Sequence, residues 1–203
     1  IILSLVAVIA LSVIGIYLYS NFVIKPKEQK AFNEMYYSQK KFDEAILINN
    51  DSLYNLVLNG DGTNLGMLDM INEYGGTNAA NLAAYYSGMI YLKMNDYQNS
   101  IKYLSEFNSD DMILGSLATG SIGDAFAELN QFEDAYEYYV KASKNNNSYT
   151  SPIYLFKAGL IAMKLEKFKK AEGYFSSIKS DYSKSSEAKN IDAYISKARA
   201  SYQ

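Results

Sequence analysis

The sequence contains no cysteine and no histidine. Without cysteine there is no disulfide, no thiolate nucleophile and no zinc–cysteine site, and the redox compartment is left open. Without histidine there is no Ser-His-Asp or Cys-His catalysis, no imidazole metal ligand and no imidazole pH switch. Arginine is nearly absent as well, because Arg199 is the only one among nineteen basic residues. A formal charge of −3 is too small to indicate nucleic acid or an acidic substrate as partner. Proline occurs twice, at Pro26 and Pro152. Tyrosine, in contrast, occurs twenty times. With the lysine bias and abundant asparagine, that excess reads as AT-rich coding more than as selection for aromatic contacts.

One pattern is written three times between Leu82 and Ile178. Glycine recurs at Gly88, Gly123 and Gly159, spaced by 35 and 36. Tyr97, Phe132 and Phe168 keep the same 35 and 36 spacing. Each aromatic is followed three positions on by a small residue (Ser100, Ala135, Ala171) and then by a bulky one (Leu104, Tyr139, Phe175). A period near 34 residues with helical spacing and small-against-large alternation is the mark of tetratricopeptide repeats. The glycine lets two helices approach, and the bulky residue fills the corner. Departures stand at Ala162 and Thr119, where large residues are usual. The expected fold is all-α, an N-terminal transmembrane helix followed by a tetratricopeptide-repeat solenoid.

Residues 1–24 carry no charge. At ~1.5 Å per residue they reach ~36 Å, enough to cross a ~30 Å hydrocarbon core. The run is longer than a signal-peptide core and has no A-x-A cleavage site. It is therefore expected to span a bilayer, with Tyr17, Tyr19, Phe22 and Lys25 at the interface. The first residue is Ile1, so further sequence is expected upstream. Lys25, Lys27 and Lys30 follow the run, but one flank does not set orientation. A kink or a fresh helix start is expected at Lys25-Pro26.

Residues 25–58 read as a degenerate first hairpin, with helices over 27–40 and 42–58, Phe42 and Ala45 as second-helix marks and Tyr36 in the slot of Tyr91 and Phe126. Residues 59–78 are a glycine-rich insertion with a short helix at 65–74. As a calcium loop starting at Asn59 it fails, because its twelfth position is Met70. A dinucleotide loop would need a preceding strand, which is not indicated. Three repeats then occupy 79–182, with Ser151-Pro152 as a capped helix start. Residues 183–203 form the closing helix, with Ala188, Ile191, Ile195 and Ala198 on one face. The acidic pairs Asp110-Asp111 and Glu133-Asp134 read as helix starts rather than catalytic carboxylates.

The repeat lining, mapped by position, comprises Leu82, Tyr85, Met89 and Leu92, then Leu117, Gly120, Asp124 and Ala127, then Ile153, Phe156, Leu160 and Met163. Either this face receives a partner's helix or extended segment, or the insertion and final helix cover several of its residues. No catalytic, metal or cofactor residues are expected, and the partners expected are proteins and the bilayer rather than nucleic acid or a small-molecule substrate. The whole layout, with Ala80–Leu104 reading ANLAAYYSGMIYLKMNDYQNSIKYL, resembles the YfgM-type ancillary subunit of the bacterial Sec translocon. That resemblance implies an inner-membrane protein with its repeats in the periplasm. It also implies a place beside SecYEG, a PpiD-type chaperone partner and a role in handling emerging polypeptides. A scaffold of another envelope complex, for cell division or protein export, fits the same layout. An enzyme or enzyme regulator on the cytoplasmic face is the third reading, and for an enzyme the sequence lacks a nucleophile–base pair.

Overall fold

The computed structural model describes residues 2–203, and their side chains from Ile9 onward. Ile1 and the side chains of 2–8, which belong to the expected span, lie outside that description. Every regular element among the described residues is helical. The chain divides into two compact units, 1–87 and 88–203.

The first unit begins with α1 (Ile2–Tyr19), a π-helical turn (Ser20–Ile24) and α2 (Lys25–Ile48). These run on as one helix, 40 residues of it from Ile9 to Ile48. The fresh start expected at Pro26 is absent, since Ile24 and Lys25 both keep right-handed helical dihedrals. Proline in a helix lacks a donor and crowds the carbonyl four residues back. The widened turn lies over that carbonyl, and the Lys25 N–H bonds Ser20 O instead. From Ile9 onward no residue of the apolar stretch is buried by the rest of the chain, which sets it apart from a core helix.

The expected break near residue 41 is also absent. Helix α2 continues to Ile48, so Phe42 and Ala45 lie on a first helix, not a second. Tyr36 is 68% exposed, unlike the half-buried Tyr91 and Phe126 whose slot it was assigned. The turn falls at Asn49-Asn50 instead. Asn49 adopts a left-handed conformation (φ 55°), and the Asn50 side chain accepts from the Leu53 N–H to open α3 (Asp51–Asn59). The insertion folds as a turn followed by α4 (Met67–Glu73). The Asp61 carboxylate accepts from the Asn64 and Thr63 backbone N–H groups at 2.7 and 2.9 Å. Those donors hold its carboxyl below the usual carboxylate range. Met67 and Met70 are fully buried with Met35, Tyr54 and Val57.

Helix α5 (Asn78–Lys93) starts in this unit and is held to α2 by side chains. Glu28 accepts from the N–H groups of Asn78 (2.9 Å) and Ala79 (3.1 Å), placing a carboxylate at the positive end of the α5 dipole. Lys27 donates to Gly75 O at 3.0 Å, and the Phe42 ring packs at a tilt against that of Tyr86, centroids 4.6 Å apart. The unburied apolar helix is therefore continuous with a helix tied to the start of α5.

In the second unit follow α6 (Tyr97–Glu106), α7 (Met112–Glu128), α8 (Phe132–Ser143), α9 (Ser151–Lys164), α10 (Phe168–Asp181) and α11 (Ile191–Ala200). Tyr97, Phe132 and Phe168 each open a second helix, and each is preceded two positions earlier by a left-handed residue: Asn95, Asn130 and Glu166. The three glycines sit at equivalent crossings. A Cβ at Gly88 would stand 2.5 Å from Leu104 Cγ, one at Gly123 2.8 Å from Tyr139 Cδ1, and one at Gly159 2.7 Å from Phe175 Cζ. Ring pairs repeat with the hairpins, Tyr91–Tyr103 at 5.4 Å and Phe126–Tyr138 at 5.3 Å. In the third repeat Ala162 leaves Tyr174 without such a ring, and its hydroxyl meets that of Tyr136 at 2.6 Å.

Asp111 caps α7, accepting from Ile113 and Leu114 N–H, and Glu133 and Asp134 lie in the first turn of α8. The α9 start differs by one position from the expected cap. Ser151 is already helical, and Asn147 orders the approach by accepting from Tyr149 and Thr150 N–H. The last helix is shorter than expected, beginning only after left-handed Asn190 (φ 61°). Its Ile191, Ile195 and Ala198 are buried as expected.

Ser100 is the polar member of the small trio Ser100, Ala135 and Ala171. It is fully buried, and its hydroxyl has no hydrogen-bond partner among the described residues. Ser100→Ala should therefore stabilise the protein by about 1 kcal/mol, read from denaturant midpoints. A loss of stability would show that the hydroxyl is satisfied in solution.

Candidate partner-binding face

Leu82 and Tyr85 lie in the first unit, both half-buried, with the Tyr85 ring 5.9 Å from that of Tyr86. The other lining positions fall in the second unit, on the end of α5 (Met89, Leu92), on α7 and on α9. Leu92, Asp124 and Ala127 meet around a shallow depression of about 380 Å³, with Tyr139 and Lys157 on its wall. At its centre Lys157 donates to both oxygens of Asp124, at 2.6 and 2.8 Å, and Tyr139 OH donates to Oδ1 at 2.7 Å. The Lys157 ammonium also lies 5.6 Å from the centroids of both the Tyr139 and Tyr154 rings. Asp124 is thus an engaged, ion-paired acceptor rather than an open carboxylate. Its partner Lys157 was not legible in the sequence, because no spacing rule relates a residue of one repeat to a lysine in the next.

Other lining positions have different fates. Gly120 is covered by the Tyr154 ring, so it accommodates a neighbour instead of facing a partner. Phe156 is engaged by Tyr194 of α11 edge-on at 4.9 Å and by Phe175 at 5.8 Å. Met163 packs against the same apolar cluster, and Ile153 against the cluster around Tyr139 and Ala158. Met89 and Leu117 are half-buried. Leu160 is open, at 41% exposure. The closing helix therefore takes the third-repeat part of the face nearest Phe156 and leaves Leu160 to solvent.

At the other end of the chain, Tyr17, Tyr19 and Phe22 are 66%, 59% and 75% exposed. Lys25 is exposed too and donates to Asn21 Oδ1 at 2.6 Å.

Burial raises the Tyr139 phenol well above its usual value, and the Asp124 charge adds to the rise. The unfolded chain ionises the same group near 10. The native state thus keeps a proton that the unfolded state loses. Its stability contribution is intact below about pH 10 and falls as pH rises past that point. Tyr139→Phe should flatten this alkaline decline, measured as the difference in denaturant midpoint between about pH 8 and pH 11. An equally steep decline in the variant would remove Tyr139 as its source.

No three Asp or Glu side chains gather as a metal-ligand set among the described residues. No curated protein matches the chain. The tetratricopeptide-repeat family matches residues 82–110, so the chain carries a tetratricopeptide repeat that takes in most of α5 and the whole of α6.

Proposed function

We propose that this protein is a membrane-anchored, non-catalytic protein-binding module. The observation that carries the reading is the combination of a tetratricopeptide repeat with an unburied apolar helix rigidly continuous with the helix that clamps α5. Repeats of this kind bind polypeptides on helical faces, and half-buried Leu92 at the depression and exposed Leu160 offer apolar anchors on the lining. The layout further supports an accessory role at the bacterial Sec translocon. In that role the repeats face the periplasm, beside SecYEG and a PpiD-type chaperone, and contact emerging polypeptides.

The test is purification of the full chain in mild detergent, with identification of the membrane proteins that accompany it. Recovery of translocon subunits, lost in a Leu92→Glu/Leu160→Glu variant that keeps its helical circular dichroism, is the expected result. Cell-division or export factors in their place would move the module to another envelope complex. Unchanged recovery in the variant would refute the assigned face.

A further inference from the structure

The overall charge of −3 conceals a division within the second unit. Residues 88–140 hold two basic residues against nine acidic ones, whereas residues 141–203 hold twelve against five. Part of the basic excess converges on the α9–α10 turn. Lys164 Nζ lies 3.6 Å from the centroid of the Phe132 ring, and Lys167 and Lys170 place theirs 4.8 and 5.8 Å from that of Tyr136. Phe132 and Tyr136 are one turn apart on α8, so the three ammonium groups share one stripe. None of the three has a carboxylate at ion-pair distance among the described residues; the ion pairs there involve Lys41, Lys157, Lys179 and Arg199. A ring face orients an ammonium group without neutralising it. The positive charge is therefore held in place and left available.

We propose that the strip of Lys164, Lys167 and Lys170 over Phe132 and Tyr136 docks an acidic polypeptide segment. The proposal rests on the protein-binding reading above and adds the charge of what is bound. Three features favour a polypeptide over a broader polyanion. The strip is made of lysine, without the bidentate fork that arginine offers phosphate. Arg199, the only arginine, is already bound to Glu172 through Nε at 2.8 Å and a terminal nitrogen at 2.6 Å. Exposed Glu133, Glu137 and Glu166 adjoin the strip in sequence, so a bilayer surface or a nucleic acid laid over it would meet like charge. A single extended chain with intermittent carboxylates fits between them.

The probe is a fluorescein-labelled dodecapeptide of alternating Glu and Ser, titrated with the full chain in detergent and read by anisotropy. Binding that weakens as salt rises is expected. A Lys164→Gln/Lys167→Gln/Lys170→Gln variant should bind about tenfold more weakly. A Lys184→Gln/Lys189→Gln/Lys197→Gln variant, with the same net charge, should bind as the parent does. Equal weakening in both variants would overturn the strip as a site and leave only a net-charge effect. Failure to bind the peptide, with strip-dependent binding to phosphatidylglycerol vesicles, would overturn the polypeptide assignment. Either failure leaves capture through Leu92 and Leu160 to be judged separately, because those residues lie outside the strip.

Discussion

Alanine at Phe175 is expected to cost about 3–5 kcal/mol of folding stability. The side chain is fully buried and stands where three elements meet. Its ring faces the bare backbone of Gly159 on α9, Phe156 on the same helix at 5.8 Å and Tyr194 of α11 at 5.4 Å. Ile178, Ile191 and Ile195 belong to the same cluster. Removing the ring leaves a cavity that α9, α10 and α11 together would have to close, and interiors packed this densely collapse only in part. The closing helix should loosen first, since its exposed ties are the Lys179–Asp192 and Arg199–Glu172 ion pairs, which add little on a solvated surface. Chemical denaturation of the full chain and the variant measures the difference. A loss below about 1 kcal/mol would show that the third hairpin is not packed around this ring.

Deletion of residues 1–24 is expected to move the protein entirely from the membrane fraction to the soluble fraction while the repeats remain folded. The segment has the length of a span, and no residue of it from Ile9 onward is buried by the chain. Removing it therefore strips no core contact. The new N-terminus would suit a helix start, because Pro26 and Glu28 fall in the first turn of α2. The Glu28 bonds to α5 and the Lys27 bond to Gly75 lie beyond the cut. Fractionation with alkaline carbonate, together with circular dichroism of the shortened chain, reads both halves of the expectation. Collapse of helical signal on deletion would mean that the segment contributes to folding rather than to anchorage.

The repeat period was readable because its three marks are local and chemically distinct. A glycine, an aromatic at the next helix start and a bulky residue sixteen positions after the glycine leave little room for another geometry. The α2 hairpin was misread for the same reason. Phe42 and Ala45 imitate the second-helix marks, while the true turn at Asn49-Asn50 depends on one left-handed asparagine and one capping asparagine. The widened turn before Pro26 was not readable, because relieving a proline within a helix leaves no sequence signature of its own. On the candidate face, helical spacing places Leu160 among the lining positions but does not say whether it is open or covered. The covering of Phe156 by Tyr194 and the pairing of Asp124 with Lys157 arise between elements far apart in sequence, where periodicity carries no information.

The account rests on one contact made three times, a bulky side chain seated on a glycine where two helices cross. A double-mutant cycle of Gly159→Ala and Phe175→Leu tests it most directly. The added methyl should clash with the ring and destabilise the protein on its own, and the smaller leucine should relieve much of that clash. A coupling of at least about 1 kcal/mol in favour of the double variant is the expected result. Strict additivity, with Gly159→Ala as harmful beside leucine as beside phenylalanine, would contradict the packing on which the stack and its lining depend.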